Sequence, residues 1–87
     1  MELNFPNKSR SYDARRQLVR FWGYDRAMEV SFLIEVNALR RLAPRELDLE
    51  ADILSAFDET REHICAVARI VYARRRTSVY RLAASDF

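Results

Sequence analysis

DLEADILSAFDETREHICAVARIVYAR, residues 48–74, decides the fold. Its apolar residues Leu49, Ile53, Ala56, Phe57, Ile64, Val67, Ala68 and Val71 recur at steps of three and four, the spacing of one helical face. The stretch holds no glycine or proline, and Asp48 is a good N-cap residue. This predicts one long helix from Asp48 to about Arg74. Charge runs along it in the direction that complements a helix dipole, from Glu46, Asp48, Glu50 and Asp52 to Arg69, Arg74, Arg75 and Arg76.

Upstream the period changes to two. Val19, Phe21 and Gly23 alternate with Leu18, Arg20 and Trp22. Met28, Val30, Phe32 and Ile34 then alternate with Glu29, Ser31, Leu33 and Glu35. Two such runs, at 17–23 and 27–35, predict an antiparallel hairpin, and Gly23, the only glycine, is expected at its turn. Leu3–Phe5 reads as a short edge strand stopped by Pro6, and residues 6–15 read as a polar loop. Asn37 can cap a short helix from Ala38 to about Leu42, ended by Pro44. A last strand follows at 78–82, and Phe87 can fold back on the core. The expectation is a single α+β domain spanning 1–87: a small antiparallel sheet of three to four strands, the long helix on one face, and a second, short helix. Val19, Phe21, Val30, Phe32 and Ile34 should meet Ile53, Phe57, Ile64 and Val71.

Size and composition narrow the function. A chain of 87 residues buries roughly 60% of its unfolded surface, which leaves little room for a deep active site. Hydrophobic content of 49% and charged content of 32% describe a globular chain. No apolar run reaches the ~20 residues of a membrane span, and MELNFPNKSR has no apolar stretch of the secretory kind. The single cysteine forms no internal disulfide, so the expected compartment is the cytoplasm. The net charge of +2 is too small to argue for nucleic acid by itself.

The segments LNFPN, SRSYD, VRFWGYD, MEVSFLIEVNALRRL and VYRLAASDF, together spread from Leu3 to Phe87, resemble the bacterial domain of unknown function 1488 family. The resemblance implies a small α+β protein with no assigned activity, so no catalytic, cofactor-binding or metal-binding residue is carried over. It also implies a glycine just past the long helix, where this chain has Arg74-Arg75-Arg76-Thr77.

The side chains that could carry chemistry are few. His63 and Cys65, the single histidine and single cysteine, stand two apart and so point to opposite sides of a helix. Glu59 and His63 share a face, but a structural zinc site needs four ligands. No enzyme activity, cofactor or metal is expected. With one glycine there is no phosphate loop, and the acids at the start of the long helix would repel phosphate.

Two binding surfaces remain. Arg20, Trp22 and Arg81, with Arg16, Tyr24 and Arg26 nearby, can combine guanidinium groups with an aromatic ring on the outer sheet face. Arg74, Arg75 and Arg76 add a basic cluster at the helix end. Single-stranded nucleic acid is bound by that combination, although Glu29 and Glu35 on the same face would pair with the arginines. Leu54, Cys65 and Tyr72 lie far from the centre of the helix stripe, which makes the apolar arc wider than one sheet face needs. Either the short helix or Phe87 covers this flank, or it meets a second copy in a two-fold dimer. The expected function is a non-catalytic protein-interaction or self-associating module, with a nucleic-acid-binding accessory protein as the alternative.

Overall fold

The computed structural model describes residues 3–43 and 45–87. The strands are β1 (Leu3–Asn4), β2 (Arg10–Asp13), β3 (Leu18–Asp25), β4 (Met28–Glu35) and β5 (Val79–Leu82). The helices are α1 (Val36–Leu42), α2 (Glu50–Glu59) and α3 (Arg61–Arg74), and a 3-10 turn occupies Ala84–Asp86. The α+β class expected from the sequence is the one observed. Pro44, expected to end the short helix, lies outside the described residues.

The hairpin forms with Phe21 opposite Phe32 and Asp25 opposite Met28. Its turn is Arg26-Ala27, and Arg26 takes a positive φ of 59°. Gly23 is therefore not a turn residue but lies inside β3, opposite Val30. A Cβ there would stand 2.8 Å from Phe5 Cε1 and 3.0 Å from Leu3 Cδ1, so the glycine admits the N-terminal segment against the sheet. The polar loop expected at 6–15 contains β2, which pairs antiparallel with β3 from Arg10↔Phe21 to Asp13↔Leu18. Tyr12 is the only apolar residue of β2, so the strand shows almost no alternation in sequence.

The sheet is mixed rather than wholly antiparallel. Its order is β1-β3-β4-β5, with β2 also on β3, and β5 runs parallel to β4. Between them the chain crosses through all three helices, and a helical crossover permits parallel neighbours where a tight turn would forbid them.

The expected long helix is two helices that break at Thr60. Thr60 has φ −108° and ψ 11°, outside the helical basin. Its hydroxyl donates to the Ala56 carbonyl at 2.7 Å, and its N–H is shared between the carbonyls of Ala56 and Phe57, both at 3.2 Å. Local back-bonding of this kind competes with the ladder and bends helices. The break leaves Asp58 and Glu59 at the C-terminal end of α2, where the dipole disfavours carboxylates. Each meets an arginine instead: Arg10 Nη2 stands 2.8 Å from Asp58, and Arg45 Nη1 donates to Glu59 at 3.2 Å. The charge gradient is thus a property of two helices with separate ends.

Three cap assignments also change. Leu49, not Asp48, precedes α2 and is 66% exposed rather than part of the core stripe. Asn37 lies inside α1, whose N-cap is Glu35. At the end of α3 the chain turns extended at Arg75, with φ −150°, and needs no glycine.

The core fills the space between the inner sheet face and the helices. Val19, Phe21, Val30, Phe32 and Ile34 are buried against Ile53, Phe57 and Ile64, with Val71 at the margin. Phe21 and Phe32 stack at 5.3 Å, and Phe32 stacks on Tyr80 at 5.2 Å. Arginines of α3 hold the N-terminal segment over one edge. Arg69 Nε donates to the Leu3 carbonyl at 3.0 Å, and Arg61 Nη2 to the Asn7 carbonyl at 2.7 Å. Phe87 folds back as expected and meets His63 edge-on at 5.6 Å.

Candidate functional site

Period-two alternation assigns each strand residue to a face. Phe21, Phe32 and Tyr80 form one inward cross-strand row, so their neighbours Trp22, Ser31 and Val79 form an outward one. Next to it run Ser11, Arg20, Leu33 and Arg81, and then Asp13, Leu18 and Glu35. The buried helix residues, Cys65 excepted, join the core cluster on the inner side. The outer face carries an open concavity of about 380 Å³, lined by Leu18, Leu33 and Val79 with Arg16, Arg20 and Asp13 around them. Val79 is 51% exposed, an apolar side chain with no covering layer.

The polar groups of this face divide into engaged and available. Arg81 Nε donates to Glu35 at 2.7 Å. Asp13 Oδ1 accepts the N–H groups of Arg15 and Arg16 at 3.1 and 3.2 Å, which ties the turn between β2 and β3. Tyr24 donates to Glu29 at 3.3 Å. Arg20 lies over the Trp22 ring at 5.3 Å, a cation–π contact. Neither Arg16 nor Arg20 is paired with a carboxylate among the described residues.

The structure brings Arg20, Trp22 and Arg81 together on the outer face, as the alternation predicts. Arg74, Arg75 and Arg76 do not join them. They lie at and beyond the end of α3, in the helical layer, and Arg76 stands over the Tyr72 ring at 4.9 Å.

The flank of Leu54, Cys65 and Tyr72 is covered from within the chain. Tyr72 is 1% exposed and Cys65 6%, and Leu54 packs against the core cluster. Tyr72 meets Tyr80 edge-on at 5.7 Å and donates to Asp25 Oδ2 at 2.6 Å. That bond raises the Tyr72 phenol above its ordinary range and lowers the Asp25 carboxyl. The cover over Tyr72 thus comes from the strands, through Asp25 of β3 and Tyr80 of β5.

His63 is exposed beside Phe87 while Cys65 is buried, so the two do not form a pair. Burial pushes the Cys65 thiol up, against the opposing pull of Arg61 and Arg69. Among the described residues no three His, Cys, Asp or Glu side chains gather as metal ligands, and no helix is long and apolar enough to cross a membrane.

The strand edge beside this face is closed at its two ends, at Val79 and Ala83. Ser31 N–H bonds the Ser78 carbonyl at 3.3 Å, so in the parallel ladder the N–H and C=O of Val79 point away from β4. Both meet the Thr77 hydroxyl, which accepts from Val79 N–H at 3.0 Å and donates to its carbonyl at 2.7 Å. Ala83 N–H, further along, is taken by Asp86 at 2.7 Å.

Sequence reasoning did not locate the concavity, because it depends on β2 and the turn after it. Asp13 followed by Ala14, Arg15 and Arg16 is the signal that could have found it, since Asp favours such backbone-binding turns.

A crystal structure of a protein of unknown function from the DUF1488 family of Shewanella loihica PV-4 matches this fold with a TM-score of 0.81. The match covers 92% of this chain and 90% of that one, at 17% sequence identity. Among curated proteins there is no match. The family model described as protein of unknown function (DUF1488) matches residues 3–83, and the chain belongs to that family.

Proposed function

We propose that this protein is a non-catalytic, self-associating interaction module that uses the outer sheet face, with a second copy of the chain as its partner. One observation carries this: Leu33, Val79 and Trp22 stay accessible on the outer sheet face, with the buried Leu18 beneath them. Apolar patches rimmed by polar residues mark interaction surfaces, and a small domain gains stability by covering them. The rim holds both signs of charge, Arg16, Arg20 and Arg81 with Asp13 and Glu35, as protein partners require. The single cysteine, buried and unbridged, suits a bacterial cytoplasmic setting. The face replaces the Leu54, Cys65 and Tyr72 flank as the place of contact.

Sedimentation velocity across the micromolar range tests the reading. The expected result is association above the 10.3 kDa chain mass that Val79→Asp abolishes. A wild-type chain that stays monomeric throughout refutes it.

A nucleic-acid accessory role is the second reading, favoured by Arg20 stacked on Trp22 and by the exposed Arg74 and Arg75. It is the weaker one, because the two basic sets lie on different surfaces and Arg81 is paired with Glu35. A low-salt gel shift that is lost on changing Arg74, Arg75 and Arg76 to Ala would establish it.

A further inference from the structure

We infer that the element seated in the concavity is the acidic turn around Leu49 of a second copy, a head-to-tail contact that rests on the self-association reading above. The concavity offers an apolar lining of Leu33 and Val79 over the buried Leu18, and two guanidinium groups, Arg16 and Arg20, without carboxylate partners among the described residues. Its only carboxylate among the described residues, Asp13, is engaged by backbone N–H groups. The complementary object is an aliphatic side chain flanked by free carboxylates.

Among the described residues there is one such object. Leu49 is 66% exposed, more than Met28, Ile70 or Val79. It stands at the head of α2 among Glu46, Asp48 and Glu50, all exposed, and residues 46–52 contain no base. Asp52 is held by the Leu49 N–H at 3.4 Å, which leaves the other three acids for an outside cation. An apolar knob ringed by negative charge thus faces an apolar hollow edged by positive charge, the arrangement that gives both burial and orientation.

The hollow lies on the outer sheet face and Leu49 in the helical layer of the same copy, so one copy cannot satisfy itself. Two copies joined this way leave one knob and one hollow unused. The contact is heterologous, and assemblies grow with concentration into rings or open chains.

Sedimentation velocity on the full chain tests this with two variants. Leu49→Ser removes the knob and places a preferred residue at the N-cap of α2, so the fold is retained. Arg16→Glu/Arg20→Glu reverses the charge of the hollow at two exposed positions. Each variant alone is expected to associate at least about tenfold more weakly than wild type. Mixed in equal amounts, they are expected to form a one-to-one dimer that grows no further, because one supplies an intact hollow and the other an intact knob. High salt, ~0.5 M, should weaken that dimer. If wild type associates and Leu49→Ser associates equally well, or the mixture gives no dimer, the inference is overturned while the self-association reading stands. If wild type never associates, that reading falls and this inference with it.

Discussion

Adding one methyl group at Gly23 tests how the N-terminal segment is docked. In a strand interior glycine is unfavourable, and replacing it by alanine reduces unfolded-state entropy, a gain of about 0.4–1 kcal/mol where the native backbone allows it. The φ of Gly23 is not in the left-handed region, so the backbone does allow it. Space is the obstacle. The new Cβ would stand 2.8 and 3.1 Å from Phe5 ring carbons and 3.0 Å from Leu3 Cδ1, against the ~3.5–4.0 Å of a relaxed carbon contact. The Phe5 ring would have to retreat by roughly 0.7 Å. It is confined by Phe21 at 5.9 Å, Phe32 at 5.7 Å and the Arg69 guanidinium at 5.2 Å. Overpacking of this kind costs about 1–3 kcal/mol, so Gly23→Ala should destabilise by about 1–2 kcal/mol net. That is a fall in Tm of roughly 5–15 °C for a domain of this size, read by circular dichroism. In a Phe5→Ala background most of the clash is gone, and the same substitution should cost less than about 0.5 kcal/mol, a coupling of about 1 kcal/mol or more. A Gly23→Ala protein as stable as wild type, or an equal cost in both backgrounds, would refute the close-approach account.

Other outcomes follow from single contacts. Phe57→Ala removes the ring that meets Phe21 at 5.1 Å and should cost about 3–5 kcal/mol in urea unfolding, enough to unfold much of a domain this small. Tyr72→Phe should change both limbs of the stability–pH curve. The lowered Asp25 carboxyl contributes stability that is present above the usual carboxylate range and lost as pH falls, and the raised Tyr72 phenol contributes stability that is lost as pH rises through its folded value. Both contributions should vanish in the variant, flattening the curve at each end. Cys65, raised by burial, should resist alkylation in the folded chain at neutral pH and react only through opening, so its rate should rise with urea. Thr77→Val with Asp86→Ala should leave the monomer folded but add β-rich aggregation, seen as thioflavin fluorescence, because the outer edge of β5 loses its plugs.

Much of the fold was legible because its signals are local. The alternation of 18–25 and 28–35 specifies a hairpin whose inward residues are the ones found in the core. The period of 49–71 specifies helix with the correct buried face at Ile53, Phe57 and Ile64. The features missed are those set by competition between levels. Thr60 is an unremarkable helix residue until its hydroxyl turns back to Ala56, and its polarity does not distinguish it from Ser55 in the sequence. β2 has one apolar residue because it is an edge strand facing α2 through Arg10, so its register comes from β3 and the Asp58 ion pair rather than from pattern. The parallel direction of β5 is decided by the path through three helices, a global property. The surface was partly legible: alternation alone puts Arg20, Trp22 and Arg81 on one face. The flank of Leu54, Cys65 and Tyr72 misled because what meets Tyr72, Asp25 and Tyr80, comes from strands that the helix period does not reveal.

The capped ends of the β5 edge and the open face of the sheet together explain which mode of association the fold favours. An exposed strand offers unpaired N–H and C=O groups to any chain that can extend beside it, and that contact has little selectivity. On β5 the outward groups of Val79 are both held by the Thr77 hydroxyl, and the N–H of Ala83, past the outward groups of Arg81, is held by Asp86. β5 is also only four residues long. Strand addition is therefore disfavoured at that edge. The adjoining face is treated in the opposite way. Val79 itself presents its side chain to the outer face while its backbone is sealed, so one residue closes the unselective route and serves the selective one. A face read by side chains, with apolar groups at its centre and guanidinium groups at its rim, can discriminate among partners by shape and charge, which bare backbone cannot. The same geometry makes Val79→Asp informative: it leaves the edge sealed and changes only the face, so loss of association in that variant assigns the contact to side chains.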